Sequence, residues 1–144
     1  MAEFKRVTPG FSVAGQLTPA DVALAAAAGY KTIVANRPDG EDFGQSNAAE
    51  IKALAEAAGL EFRNLPFAGP PPPAIVAETA MLLDEAKSPV LAYCRTGTRS
   101  ITAWALAEAL AGRRRPDEII ALAAKAGYDL NRARGALETL APRT

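Results

Sequence analysis

The chain contains no histidine and only one cysteine among its 144 residues. Without an imidazole, the common zinc sites and every Cys-His or Ser-His arrangement for nucleophilic catalysis are excluded. A lone cysteine cannot close an internal disulfide. Neither sign of charge is in excess, since 16 Lys and Arg balance 16 Asp and Glu. No overall field therefore draws nucleic acid or an anionic membrane, and any charge recognition is local. No apolar run approaches the length of a bilayer span and no early segment has the order of a signal peptide, so a cytoplasmic address is expected. No G-x-G-x-x-G or G-x-x-x-x-G-K-[ST] follows a strand, which argues against dinucleotide or nucleoside triphosphate binding. What remains is the chemistry of cysteine, arginine, hydroxyls, carboxylates and backbone amides, with no metal or cofactor expected.

With 49% apolar and 22% charged residues, the composition is that of a globular protein, and its length suits one domain over residues 1–144. Strands are predicted at 11–15, 31–35, 60–65 and 89–94. Helices are predicted at about 19–28, 47–58, 74–86 and 100–111, with two more at 117–126 and 131–140. Thr18-Pro19-Ala20-Asp21 supplies a helix start, with Thr18 as N-cap and Pro19 at the first helical position. The stretch NRPDGEDFGQ (36–45) reads as a loop, and PFAGPPPP (66–73) as a connection rather than a ligand for a proline-recognising module. Arg113-Arg114-Arg115 reads as a solvated helix end. Trp104 shares a helical face with Ile101 and reads as core, as do Ile119, Ile120, Leu122 and Leu137. Strands alternating with helices imply an α/β, three-layer domain with a mainly parallel sheet of four to five strands and helices on both faces. Its site is expected at the carboxyl ends of the strands, with 113–144 a helical extension of the same domain.

The stretch PVLAYCRTGTRSI (89–101) carries the chemistry. A buried strand ends in Cys94, a turn follows through Arg95, Thr96, Gly97 and Thr98, and Arg99 and Ser100 stand where a helix begins. A helix N-terminus, inward amides of 95–100 and the Arg99 guanidinium would together hold an anion and favour the thiolate. Ser100 is placed to cap the helix or donate to the sulfur. Arg37, with Arg95, would add positive charge for an anionic substrate. Asp39 and Glu41 gain a catalytic use only if the 36–45 loop folds over the turn, and turn chemistry is their plainer role.

The turn YCRTGTRS (93–100) resembles the active loop of rhodanese-type sulfurtransferases. VAGQLTPAD (13–21), NRPDGE (36–41) and LAYCRTGTRS (91–100), in that order, resemble the bacterial family named for the phosphatase-like domain of beta-lactamase hydrolase-like proteins, over roughly residues 4–111. The resemblance implies the fold of cysteine-dependent tyrosine and dual-specificity phosphatases, with members described as sulfurtransferases. Three departures from a tyrosine phosphatase stand out. Only four residues separate Cys94 from Arg99, where that signature has five; Tyr93 replaces the preceding histidine; and the upstream stretch Asn64-Leu65-Pro66-Phe67 lacks the general-acid carboxylate. A missing acid forgoes about 10² to 10⁴ in rate for an alkoxide leaving group, whereas thiolate or sulfite leaves as a stable anion. The expectation is therefore a sulfurtransferase that carries sulfane sulfur as a Cys94 persulfide. Its partners would be a small anionic, thiosulfate- or persulfide-like donor and an external thiol acceptor. The alternatives are a phosphatase acting through a Cys94 phosphoenzyme, with Asp39 as possible acid, and a non-catalytic anion- or partner-binding module.

Overall fold

A computed structural model describes residues 2–142 of the chain. Five strands form one sheet in the order β1-β2-β5-β3-β4. They are β1 (Lys5–Thr8), β2 (Phe11–Ala14), β3 (Thr32–Ala35), β4 (Glu61–Asn64) and β5 (Val90–Tyr93). β1 runs antiparallel to β2 and the other pairings are parallel. The sequence signals miss β1, because KRVT is half polar; it forms as an edge strand on the Phe11–Ala14 template. The helices are α1 (Pro19–Ala27), α2 (Ala48–Ala57), α3 (Pro73–Glu85), α4 (Thr98–Ala111), α5 (Pro116–Lys125) and, after a 3₁₀ turn at Asn131–Ala133, α6 (Arg134–Leu140).

Side chains alternate across the strands and divide the core in two. Ala14, Ile33, Ala35, Leu91 and Tyr93 pack with Val22 and Ala25 of α1 and with Ile51 and Ala55 of α2. Val13, Val34, Val90 and Ala92 face the other way, toward Val76 and Leu82 of α3, Ile101 and Trp104 of α4, and Ile119 and Leu137 of α5 and α6. Trp104 is core as expected and stacks on Phe11 with centroids 5.7 Å apart and planes inclined by 11°, a pairing worth about 0.5–1.5 kcal/mol beyond its area. Ile119, Ile120 and Leu137 are buried and Leu122 half-buried. Leu54 of α2 and Ile75 and Leu83 of α3 are likewise only partly buried.

Local chemistry sets the ends of these helices. Thr18 caps α1 in a full capping box: its hydroxyl accepts from the Asp21 amide, and the Asp21 carboxylate accepts from the Thr18 amide at 2.8 Å. Asn47 caps α2 by accepting from the Glu50 amide. The proline run ends as Pro72 at the cap and Pro73 at the first position of α3, where a missing amide hydrogen costs nothing. Arg113 and Arg114 are spent on structure. Both pair with the buried Glu108, Arg113 reaches Asp84, and Arg114 reaches Glu118. No helix among the described residues is long and apolar enough to cross a membrane.

β5 enters the sheet between β2 and β3, after the chain has crossed from one face to the other. Tyr93 lies level with Ala14 on one side and Ala35 on the other. The three loops that leave these strands therefore open side by side at the carboxyl edge, where a parallel sheet forms its crevice.

Candidate active site

Cys94 follows directly on β5, and its amide donates to the Ala14 carbonyl at 3.2 Å. It is 1% exposed yet belongs to neither apolar cluster. The Gly97 amide donates to its sulfur at 3.0 Å. Gly97 is the N-cap of α4, with φ of 91°, a conformation that side chains other than glycine strongly disfavour. The helix therefore starts at Thr98, two residues earlier than the sequence suggests. Because Gly97 has no side chain to cap it, the first amides of α4 have neither an intrahelical nor a capping acceptor. Together with the sulfur they make an anion cradle. Thr96 and Thr98 share a hydroxyl contact of 3.1 Å at its exposed rim.

Arg99 lies in the first turn of α4, and helical side chains lean toward the N-terminus. Its guanidinium reaches back to the loop without needing a longer loop. There the Glu41 carboxylate grips it: Nη1 donates to Oε2 at 2.8 Å and Nη2 to Oε1 at 2.7 Å, while Nη1 also donates to the Phe67 carbonyl at 3.1 Å. These bonds use three of the five donors of the guanidinium. The Nε–H and the adjacent Nη2–H remain as a side fork of the shape that holds an oxyanion bidentately. Hydrogen bonding to Glu41 raises the Arg99 pKa above its ordinary value despite partial burial, with the neighbouring Cys94 sulfur a smaller cause. The Arg99 and then the Arg37 guanidinium hold Glu41 down at about 2.

The 36–45 loop thus does fold over the turn, but its residues divide the work differently from expectation. Arg37 is only 4% exposed. It donates to Glu41 at 2.9 Å, to Asp42 at 2.7 Å and to Gln16 at 3.1 Å. Burial opposes its charge, and the bonds to both carboxylates more than offset that. It is a buried strut under Glu41 rather than a free cation facing substrate. Asp39 points to α2, where it accepts from the Ala48 amide at 2.8 Å. Arg95 is exposed and comes within 3.7 Å of Asp42. Removing the Asp39 contact by Asp39→Ala is expected to cost about 0.5–2 kcal/mol, read as a lower urea midpoint.

Ser100 neither caps the helix nor meets the sulfur. It donates to Asn36 Oδ1 at 2.8 Å, and Asn36 Nδ2 donates to the Leu65 carbonyl at 3.0 Å. Asn36, 2% exposed, therefore ties β3, the 65–72 loop and α4 together. Ser100→Ala would leave the Asn36 oxygen buried without a donor, at a cost of about 1–3 kcal/mol. Chemical denaturation checks that value.

Two more residues complete the frame. A Cβ on Gly15 would lie 2.9 Å from the Arg95 carbonyl, so only glycine lets the β2–α1 loop approach this closely. Tyr128, between α5 and the 3₁₀ turn, donates its hydroxyl to the Thr96 carbonyl at 2.8 Å. Nothing in the sequence pattern singles out Tyr128, since its partner lies 32 residues away. Beside Arg99 runs an apolar groove of about 340 Å³, walled by Pro70 and Pro71 on one side and Ala133 and Ala136 on the other, with Leu106 below. Tyr93, in the place of the expected histidine, is buried, and desolvation pushes its phenol well above the ordinary range.

Residues 3–111 match the family model described as Beta-lactamase hydrolase-like protein, phosphatase-like domain. The beta-lactamase hydrolase-like protein of Agrobacterium fabrum is 37% identical over 126 residues, which are 87% of this chain and 29% of that protein. The chain thus spans under a third of that relative's length. A crystal structure from Neisseria meningitidis, described as a "putative phosphatase", superposes with a TM-score of 0.81 at 37% identity, covering 94% of this chain and 96% of that one. The P. aeruginosa protein TpbA, solved in complex with pTyr, gives 0.67 at 18% identity over 96% and 92% of the two chains, a likeness of fold alone. The three-layer architecture is therefore that of the cysteine-dependent phosphatases, as the sequence resemblance implied. The expectation of sulfur transfer is corrected: the family match and the Neisseria structure point to phosphatase-like chemistry.

Proposed function

We propose that this chain, which belongs to the phosphatase-like domain family of beta-lactamase hydrolase-like proteins, is a cysteine-dependent phosphatase. The observation that supports it most directly is the Gly97 amide on the Cys94 sulfur, 3.0 Å away, beside the first turn of α4, where Glu41 and Phe67 hold the Arg99 guanidinium. In this reading the first amides of α4 and the Arg99 fork bind the phosphoryl oxygens, and the Cys94 thiolate attacks phosphorus. The bond to the leaving oxygen breaks with its electron pair on that oxygen. Water then hydrolyses the thiophosphate, releasing inorganic phosphate and restoring the thiolate. Little covalent chemistry falls to the protein beyond the nucleophile, so positioning and charge stabilisation carry the rate.

The test compares wild type with Cys94→Ser on p-nitrophenyl phosphate, with intact mass recorded after rapid acid quenching. The expected result is turnover abolished in the variant and a phosphoryl adduct on wild type alone. Turnover that survives Cys94→Ser sinks the reading.

A further inference from the structure

Among the described residues around the cysteine turn, every carboxyl group is already held by a donor. Both oxygens of Glu41 are taken by arginine donors. Asp42 is paired with Arg37, and Asp39 is turned to the start of α2. Tyr128 spends its hydroxyl proton on the Thr96 carbonyl, and Ser100 spends its own on Asn36. The 65–72 loop, LPFAGPPP, has no titratable side chain, and its prolines continue into the apolar groove beside Arg99. Thr96 and Thr98 bring only neutral alcohols to the rim, and these are far too weak as acids to replace a carboxyl group.

Phosphoryl transfer proceeds through a loose transition state in which the bond to the leaving oxygen is largely broken. Charge accumulates on that oxygen, and only a proton or the leaving group's own stability can absorb it. Resting on the phosphatase reading, we propose that the substrates of this domain are phosphate compounds whose leaving group departs as a stable anion: acyl phosphates and esters of acidic phenols, not alkyl phosphomonoesters. The electron pair of the broken P–O bond stays on a carboxylate or phenolate oxygen, and no proton is transferred in forming the Cys94 thiophosphate.

The experiment measures kcat/KM for acetyl phosphate, p-nitrophenyl phosphate, phenyl phosphate and a phosphoserine peptide, with wild type and Asp42→Asn. The expected result is a steep fall with rising leaving-group pKa. The phosphoserine peptide should fall at least about 10²-fold below p-nitrophenyl phosphate, the lower bound of what a positioned acid supplies. The slope of that fall should be the same in Asp42→Asn. Phosphoserine turnover comparable to that of the nitrophenyl ester overturns the proposal, and so does a slope that steepens in Asp42→Asn, which would identify that carboxyl group as the proton donor. In both of those outcomes turnover still depends on Cys94, and the phosphatase reading stands. Failure to turn over any member of the series in a Cys94-dependent way removes the reading and the proposal together.

Discussion

Gly97→Ala is expected to lower kcat on p-nitrophenyl phosphate by about 10²–10³ while the protein still folds. The magnitude is that of removing one preorganised donor from a developing charge. Two independent causes converge on this residue. Its φ of 91° costs an alanine roughly 1–2 kcal/mol. Its Cβ would also lie 2.2 Å from the Tyr128 hydroxyl oxygen and 3.0 Å from the ring carbon that bears it. Relief comes by moving Tyr128 off the Thr96 carbonyl or by turning the 97 peptide, and either change disturbs the amide that meets the sulfur. Circular dichroism should show an intact fold, because the strain is confined to one turn. An unchanged kcat would show that this amide has no part in the reaction.

Glu41→Gln is expected to cost about 10- to 150-fold in kcat/KM, the equivalent of the 1.5–3 kcal/mol typical of a hydrogen bond to a charged group. A glutamine offers Arg99 one neutral acceptor in place of two ionised ones, so the guanidinium is free to rotate and the side fork loses its aim. The same variant has a pH signature. The Glu41 carboxyl is lowered from 4.5 to about 2 by Arg99 and Arg37. A depressed carboxylate contributes stability that is complete above its unfolded pKa and is lost as pH falls through the folded one. Wild type should therefore lose stability between about pH 4.5 and pH 2, and Glu41→Gln should lose less over that window. Thermal melts at stepped pH distinguish the two. Parallel curves for both proteins would mean that the ion pair is not maintained in solution.

Local signals carried the loop itself. Cys94, Gly97 and Arg99 stand within one strand-turn-helix unit, so spacing alone places them, and the parallel alternation of strands and helices places that unit at a sheet edge. What spacing cannot show is which distant side chains brace it. Glu41 meets Arg99 across 58 residues of sequence, Asn36 meets Ser100 across 64, and Tyr128 meets Thr96 across 32. Arg37 and Asp39 were visible as charged residues near the site. Their actual partners, Glu41, Asp42 and Gln16 for Arg37 and the start of α2 for Asp39, depend on how the loop folds back, and composition does not encode that. The inference from the missing acid also went to the wrong bond. A loop without a carboxyl group restricts which leaving group can depart, but does not decide whether sulfur or phosphorus is transferred.

Tyr128 and the Ala133–Ala136 wall lie beyond residue 111, where the family match ends. Nucleophile and cradle thus lie inside the stretch that the family model matches, whereas the strut behind the loop and one bank of the groove lie outside it. Substitutions in the carboxyl-terminal helices can retune loop rigidity and the choice of what lies in the groove, with every residue from Cys94 to Ser100 left as it is.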